Sequence, residues 1–379
     1  QVTNDGTVAQ TVTVEVTVTS PKLYDGSLGS SPLLDGVLST STEKVDVVGK
    51  ASTAATLIPP NSTVAVPITE IIIRPDGSDS NVLLWSPSSP YLYEATASVL
   101  VSTGVVASKA TDFGIRSFTF NATDGLVLNG ERIWLYGGCV HHANGLLGSK
   151  TLARAEERRV QLLKAQGYNA IRTSHNPVSP AFLDACDRIG VIVMDEAFDC
   201  WRKGKNPDDY HLYFDANWQS DLASMVLRDR NHPSILMWSI GNEIPMRLTP
   251  AGLELAHELT NFVHALDGGS GRQVTSAVPG VSAKPECQDF LNALDVCGYN
   301  YSPNMYIPDH VTSPDRVMMA TESFPKFTFT YWDAAWNNPW VVGEFIWTGP
   351  FRLSVCLLAC NHLLQQYFTA LCCTAVFLY

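Results

Sequence analysis

From about residue 125 onward, short apolar runs alternate with amphipathic stretches, and this alternation leaves few folds open. Eight runs stand out: Arg132–Gly137, Asn169–Thr173, Val191–Asp195, Ile235–Gly241, Gln273–Ala277, Asp295–Asn300, Val317–Thr321 and Val341–Trp347. Between them lie helical patterns at Leu152–Ala165, Ser179–Arg188, Ala216–Arg230 and Gly252–Leu266. In the first of these, Leu152, Val160 and Leu163 stand against Arg154, Glu157, Arg158 and Gln161 at helical spacing. The stretches after the fifth, sixth and seventh runs are weakly patterned. Strands that alternate with helices are parallel, because a parallel pair needs a crossover. Eight such strands closed on themselves make a (β/α)₈ TIM barrel, for which about 230 residues is a usual length.

The first 116 residues have a different texture. Thr11 to Thr19 alternates Thr or Glu with Val, the period of a half-buried strand. Similar runs are expected at Thr63–Ile73, Tyr93–Val101 and Ala110–Arg116, separated by Ser/Pro/Gly/Asp stretches at Leu23–Thr42 and Pro75–Ser80. A small antiparallel β-sandwich suits this pattern, although its clear strands are few for a complete one. The expected fold class is therefore multidomain, a β-sandwich over 1–117 followed by a catalytic barrel over 118–350. The remainder, 351–379, is rich in Leu and Cys and poor in charge, an apolar tail of doubtful homology that reads either as a stand-in for the barrel's eighth helix or, preferentially, as foreign sequence joined at a truncation.

Composition removes several function classes. The 379 residues carry a net charge of −12, which disfavours nucleic acid and anionic membranes as partners. No basic cluster or phosphate-cradling glycine loop occurs. The tail is no convincing span, because Asn361, His362, Gln365 and Gln366 interrupt it. Cys139, Cys186, Cys200, Cys287 and Cys297 stand singly in apolar or strand-end contexts, as buried reduced thiols do. Gln1 opens inside a strand-rich segment and reads as a cut end. The compartment is left open between cytoplasmic and secreted, and an oligomer is allowed.

Two apolar runs stop on a glutamate, Trp238-Ser239-Ile240-Gly241-Asn242-Glu243 and Met318-Met319-Ala320-Thr321-Glu322-Ser323, 79 residues apart (322 − 243). Barrel enzymes keep their chemistry at the carboxyl ends of the strands. Two carboxyls there suit a reaction that needs one acid and one nucleophile, and retaining glycosidic cleavage is that reaction. Glu243 is expected to be the general acid/base, in a setting that favours the protonated form. Glu322 is expected to be the ionised nucleophile. Its rival, Glu344, lies inside the eighth run, three residues before its end.

Ser239 to Glu243, preceded by Arg228-Asp229-Arg230-Asn231-His232-Pro233-Ser234, resembles the acid/base signature of glycoside hydrolase family 2, the family of β-galactosidases, β-glucuronidases and β-mannosidases. Phe113-Gly114-Ile115-Arg116, Leu128-Asn129-Gly130 and Gly137 to His142 resemble its junction between an immunoglobulin-like sandwich and a TIM barrel. Ala170 to Pro177 resembles the end of its second strand, and Met194-Asp195-Glu196-Ala197 that of its third. The resemblance implies further roles. Asn242 would bind the sugar's 2-hydroxyl. Tyr301 would orient Glu322, with Tyr299 as its core neighbour. His141 and His175 would line the sugar subsite, Arg172 would buttress the nucleophile, and Trp347 would offer an aromatic face. No cofactor is implied. Some members bind a cation through Glu-x-His after the third strand. Here those positions read Asp199-Cys200-Trp201, and no metal site is expected.

The β-glucuronidase branch carries Asn-x-Lys after the eighth strand. Here the chain reads Thr348-Gly349-Pro350-Phe351-Arg352, so a terminal β-galactoside leads as substrate. A glucuronidase-like enzyme is one alternative. An inactive fragment that only binds sugar is the other, since the family's jelly-roll domain and its segments beyond the barrel have no counterpart here.

Overall fold

The computed structural model describes residues 1–24, 46–68, 70–73 and 82–348. The apolar tail, the turn at Pro75–Ser80 and most of Leu23–Thr42 lie outside the described residues.

The described residues up to Ile115 belong to one compact unit. Its centre is the strand Gln10–Leu23, paired antiparallel with Tyr91–Val101 on one side and Val47–Ser52 on the other. Gly104–Phe113 extends the sheet beyond Tyr91–Val101. The Thr/Val alternation does what its period requires: Val12, Val14 and Val18 are buried while the intervening residues are more open. The expected strand Thr63–Ile73 is a correction. Among the described residues of that range, only Ser62–Val64 is strand, paired with Val2–Asn4. Pro67 lies directly beyond it and has no amide to donate to a ladder.

The second unit begins at Arg116. It opens with a three-stranded antiparallel sheet, Phe118–Asn121, Gly125–Leu128 and Glu131–Ile133. This corrects the first expected run: Arg132 and Ile133 belong to that sheet, and the barrel starts at Leu135. Eight parallel strands then close the barrel. They are β1 (Leu135–Val140), β2 (Ala170–Thr173), β3 (Ile192–Glu196), β4 (Ile235–Asn242), β5 (Gln273–Pro279), β6 (Cys297–Asn300), β7 (Met318–Ser323) and β8 (Val341–Ile346). Closure occurs where β8 meets β1 in register, Gly343 beside Leu135. Gly343 has φ +145, and a side chain there would run into the Leu135 backbone.

The crossover helices are α1 (Ala153–Ala165), α2 (Pro180–Ile189), α3 (His211–Asp229), α4 (Pro250–Asp267), α5 (Pro285–Asn292), α6 (Tyr306–Thr312) and α7 (Thr328–Asn337). Local chemistry sets their ends. Ser179 and Thr249 cap α2 and α4 by accepting the Phe182 and Gly252 amides, each with proline next in sequence. Gly190 and Gly268 close the same helices in the left-handed region. The face assignment in α1 is partly corrected. Val160 and Leu163 are buried as expected, but so are Glu157 and Gln161, and Leu152 is exposed at the cap. The polar pair is buried because Arg154 reaches both, bonding Gln161 Oε1 at 3.0 Å and pairing with Glu157 at 3.7 Å.

All five singly placed cysteines are buried and free. Among the described residues, no helix is long and apolar enough to cross a membrane.

Candidate active site

The carboxyl ends of the eight strands share one rim, and the side chains there are joined by hydrogen bonds into one network. Arg172, on β2, is its centre and is completely buried. Its guanidinium takes Glu196 of β3 through Nε and Nη2 at 2.9–3.0 Å, and Glu322 Oε1 of β7 through Nη1 at 2.9 Å. It also donates to the Thr321 carbonyl and to Asn242 Oδ1 on β4. Burial alone would depress the guanidinium's pKa, but the facing charges of Glu196 and Glu322 raise it overall. Arg172 is therefore a fixed cation with most of its donors aimed at named acceptors.

Glu322 has a second partner. The Tyr301 hydroxyl donates to its Oε2 at 2.7 Å. Burial and the Glu322 charge push the Tyr301 phenol well above its usual value, so it remains a donor. Register explains the meeting, since Asn300 of β6 pairs with Glu322 across a local irregularity in the β6–β7 ladder. The same Asn300 donates from Nδ2 to Glu243 Oε1 at 3.0 Å. One two-residue step, Asn300-Tyr301, thus touches both expected catalytic carboxyls.

The chain bends to achieve this. Glu243 and Tyr301 have φ of +44° and +55°, a region that residues with a side chain seldom adopt. Each directly follows a barrel strand, so the backbone turns as soon as the ladder ends. The motif before β4 anchors its start. His232 Nδ1 and the Ser234 amide both meet Asp187 of α2, and Arg116 donates to the Pro233 and Ile235 carbonyls.

Asn242 has its whole amide engaged. Oδ1 accepts from Arg172, while Nδ2 donates to Asp199 Oδ1 at 3.0 Å and lies 3.3 Å from His175 Nε2. His175 Nδ1 sits 2.7 Å from Glu196 Oε1, which accounts for its proton on Nδ1. The Trp347 ring stacks on His175 at 5.2 Å and meets the His141 ring edge-on at 4.9 Å. One face of Trp347 is therefore taken by His175. Burial and the neighbouring His175 hold the His141 imidazole below its usual range.

The rival Glu344 does not join this network. It is buried, accepts from Ser323 Oγ at 2.6 Å, and burial raises its carboxyl to about 7. Successive residues of a strand point to opposite faces, so Ser323 and its neighbour Glu322 diverge. Glu344 follows Ser323 to the side where Tyr306 of α6 and Tyr331 of α7 feel its charge.

Sequence alone did not single out Glu196, Ser239, Lys205 or Asn300, and weighed Asp199 only as a position for a cation. Glu196 is the fullest example: it binds Arg172, His175 and the Ser239 hydroxyl (2.7 Å). The signal was present, since Glu196 ends a strand on a carboxylate just as Glu322 nearly does. At the positions where a cation could be held, Asp199 Oδ1 lies 2.6 Å from Lys205 Nζ. Trp201 is buried and donates to the Ile240 carbonyl. That set does not fit a divalent metal, because the nearest carboxylate is already matched by an ammonium.

Similarity to known proteins follows the same architecture. The sequence profile of glycosyl hydrolases family 2 matches residues 1–116, and that of the family's TIM barrel domain matches 121–306. A curated relative, Beta-galactosidase BoGH2A of Bacteroides ovatus, is 40% identical over 302 residues, covering 69% of this chain and 35% of the relative. A solved family 2 member from Bacteroides cellulosilyticus is 38% identical with a TM-score of 0.77, over 92% of this chain and 42% of that one. Beta-glucuronidase 2 of Bacteroides uniformis shares the fold at 21% identity and a TM-score of 0.70, over 91% of this chain and 43% of that one. The chain thus spans about a third of the length of that curated relative. An immunoglobulin-like unit followed by a closed eight-stranded barrel, with both family profiles in order along it, makes the chain a member of glycosyl hydrolase family 2.

Proposed function

We propose that the chain carries the catalytic barrel of a retaining exo-β-glycosidase acting on terminal β-galactosides. One observation carries this reading: Glu322 is held by Arg172 and Tyr301, while Glu243 is held by Asn300, the residue next to Tyr301. In this reading Glu322 attacks the anomeric carbon while Glu243 protonates the leaving oxygen. The bond to that oxygen breaks, and a glycosyl ester forms on Glu322. Glu243, now ionised, takes a proton from water, which attacks the anomeric carbon and releases Glu322. Arg172 and Tyr301 keep Glu322 an acceptor through both steps. Asn242 is positioned for the sugar's 2-hydroxyl, and His141, His175 and Trp347 form the wall of the sugar subsite.

Galactose is preferred over glucuronate because Thr348 and its successors supply no lysine for a carboxylate. BoGH2A, named as a β-galactosidase, agrees with this choice. Lys205 is the observation on the other side, an ammonium near Asn242, although Asp199 already pairs with it. Comparing aryl β-galactoside with aryl β-glucuronide at equal concentration separates the two; faster glucuronide turnover overturns the galactoside reading. Absence of turnover on either by the folded chain supports a fragment that only binds sugar. In an active chain, Glu243→Ala slows poor leaving groups by roughly 10²–10⁴-fold and activated ones far less. Equal slowing of both removes the acid role.

A further inference from the structure

The loop between β3 and α3 brings an ion pair to Asn242. It reads Asp199-Cys200-Trp201-Arg202-Lys203-Gly204-Lys205 before Asn206. Asp209, further along, accepts the Lys205 and Asn206 amides at 2.7 and 2.8 Å, which turns the segment back on itself. Gly204 leaves room for that turn, since a Cβ there would lie 2.3 Å from His211 Nδ1 and 2.7 Å from Asp209 Oδ1. Lys205 Nζ then reaches Asp199 Oδ1 at 2.6 Å. The same oxygen accepts from Asn242 Nδ2 at 3.0 Å. One carboxylate oxygen thus bridges an ammonium and the Asn242 side chain. The backbone repeats the link, because the Phe198 carbonyl accepts the Asn242 amide at 3.0 Å.

Both ends of the Asn242 side-chain amide are therefore held. Arg172, which can only donate, takes Oδ1 at 2.9 Å, and the Asp199 carboxylate takes Nδ2. A flipped amide would set its hydrogens against the guanidinium and its oxygen against the carboxylate. Held by Arg172 alone, the amide could swing about that one bond. Held at both ends its plane is fixed, and Oδ1 keeps a second lone pair for a hydroxyl. Hydrogen bonds to a sugar's 2-hydroxyl strengthen in the transition state, so a fixed amide there acts on rate more than on binding. We infer that the Asp199–Lys205 ion pair is the positioning device of Asn242, with Asp199 fixing the amide and Lys205 fixing Asp199. This rests on the glycosidase reading and adds to it two residues that act on the 2-hydroxyl contact through Asn242. The Asp199 side chain is 40% exposed and that of Lys205 23%, so the pair contributes little to the fold itself.

The test compares two substrates with one leaving group, 4-nitrophenyl β-galactoside and its 2-deoxy analogue, in the wild type, Asp199→Ala, Asp199→Asn and Lys205→Met. On the galactoside, Asp199→Ala should lower kcat roughly tenfold and move KM by no more than about twofold, as loss of one charge-assisted hydrogen bond made in the transition state would. Asp199→Asn, which keeps an acceptor oxygen in the same shape, should recover most of that loss. Lys205→Met should lower kcat roughly threefold, the scale of one exposed ion pair. On the 2-deoxy substrate, every variant should stay within about twofold of the wild type, because the contact being positioned is absent. Equal losses on both substrates reduce the pair to a support for the loop and overturn the proposal. So does an unchanged kcat for Asp199→Ala on the galactoside, or a change confined to KM, which marks a contact made equally before and during the reaction. If Asp199→Ala does not fold, Lys205→Met decides: a loss on the galactoside alone supports the pair, and any other pattern overturns it. A wild type that cleaves neither substrate overturns the glycosidase reading and the pair with it, whereas an active wild type whose variants lose equally or not at all sinks the pair alone.

Discussion

Asp195 and Glu196 are adjacent in the chain and both completely buried, yet their carboxyls behave in opposite ways. Burial raises both. For Glu196 this is outweighed by Arg172 and then His175, and the carboxyl falls below its usual value. Asp195 instead meets Asp229, a second carboxyl, and rises well above the usual range. Strand alternation separates the two, sending one toward the barrel's central cation and the other to the opposite face. The partners of the β7 and β8 carboxyls differ in a similar way. Glu322 meets Arg172, and Glu344, equally buried, meets only a serine hydroxyl and neighbouring tyrosines. Burial pushes the Glu344 carboxyl up, whereas Glu196 and Glu322 both lie against the buried arginine.

The largest test of that contrast is loss of activity. Glu322→Gln should lower kcat by roughly 10³-fold or more, in line with removal of a catalytic nucleophile. Added azide should restore turnover by replacing the missing nucleophile, measured on an activated aryl β-galactoside. Glu344→Gln should stay within a few-fold of wild type. Comparable losses in both would erase the distinction between the two faces.

Arg172→Met comes next. It leaves Glu196 and Glu322 buried without their cation, which should cost about 3–5 kcal/mol of stability by denaturant unfolding. A smaller cost would mean that water or His175 replaces the guanidinium.

Glu344 gives the pH test. Burial pushes its folded pKa up to about 7, above the usual 4.5 of a glutamate, so the folded state holds the proton more tightly than the unfolded one. The stability this provides is complete below about pH 4.5 and is lost as pH rises through about 7, up to about 3 kcal/mol in all. Glu344→Gln, which cannot ionise, should therefore flatten the decline in unfolding free energy between pH 5 and 8. An unchanged slope would show that the decline comes from elsewhere.

Tyr301→Phe should have the smallest effect of the four. Removing one hydrogen bond to a charged group is worth about 1.5–3 kcal/mol, or roughly 10- to 150-fold in kcat.

The barrel was legible because period and length carried it: every expected run contains or overlaps a strand, and the four clear helical patterns became α1 to α4. The first boundary slipped because Arg132 and Ile133 continue an apolar run while pairing with Leu126 and Val127 in a different sheet. Apolarity does not say which ladder a residue joins. Within the candidate site, the end-of-strand glutamates were visible one at a time. The role of Glu196 as a hub was not, because it depends on Arg172, His175 and Ser239 arriving from β2, the loop after it, and β4. The burial of Glu157 and Gln161 was hidden for a similar reason: Arg154, one turn from the first and two from the second on α1, lets both polar side chains sit inside. Positive φ at Glu243 and Tyr301 leaves no mark in composition, since neither residue type favours it.

The most direct measurement is to trap the glycosyl-enzyme. The chain is incubated with a 2-deoxy-2-fluoro-β-galactosyl fluoride, digested, and its peptides weighed and sequenced by mass spectrometry. The account predicts one added fluorogalactosyl group, carried by the Glu322 side chain. A label on Glu344 or Glu196, or none at all in a preparation that turns over β-galactosides, would contradict it.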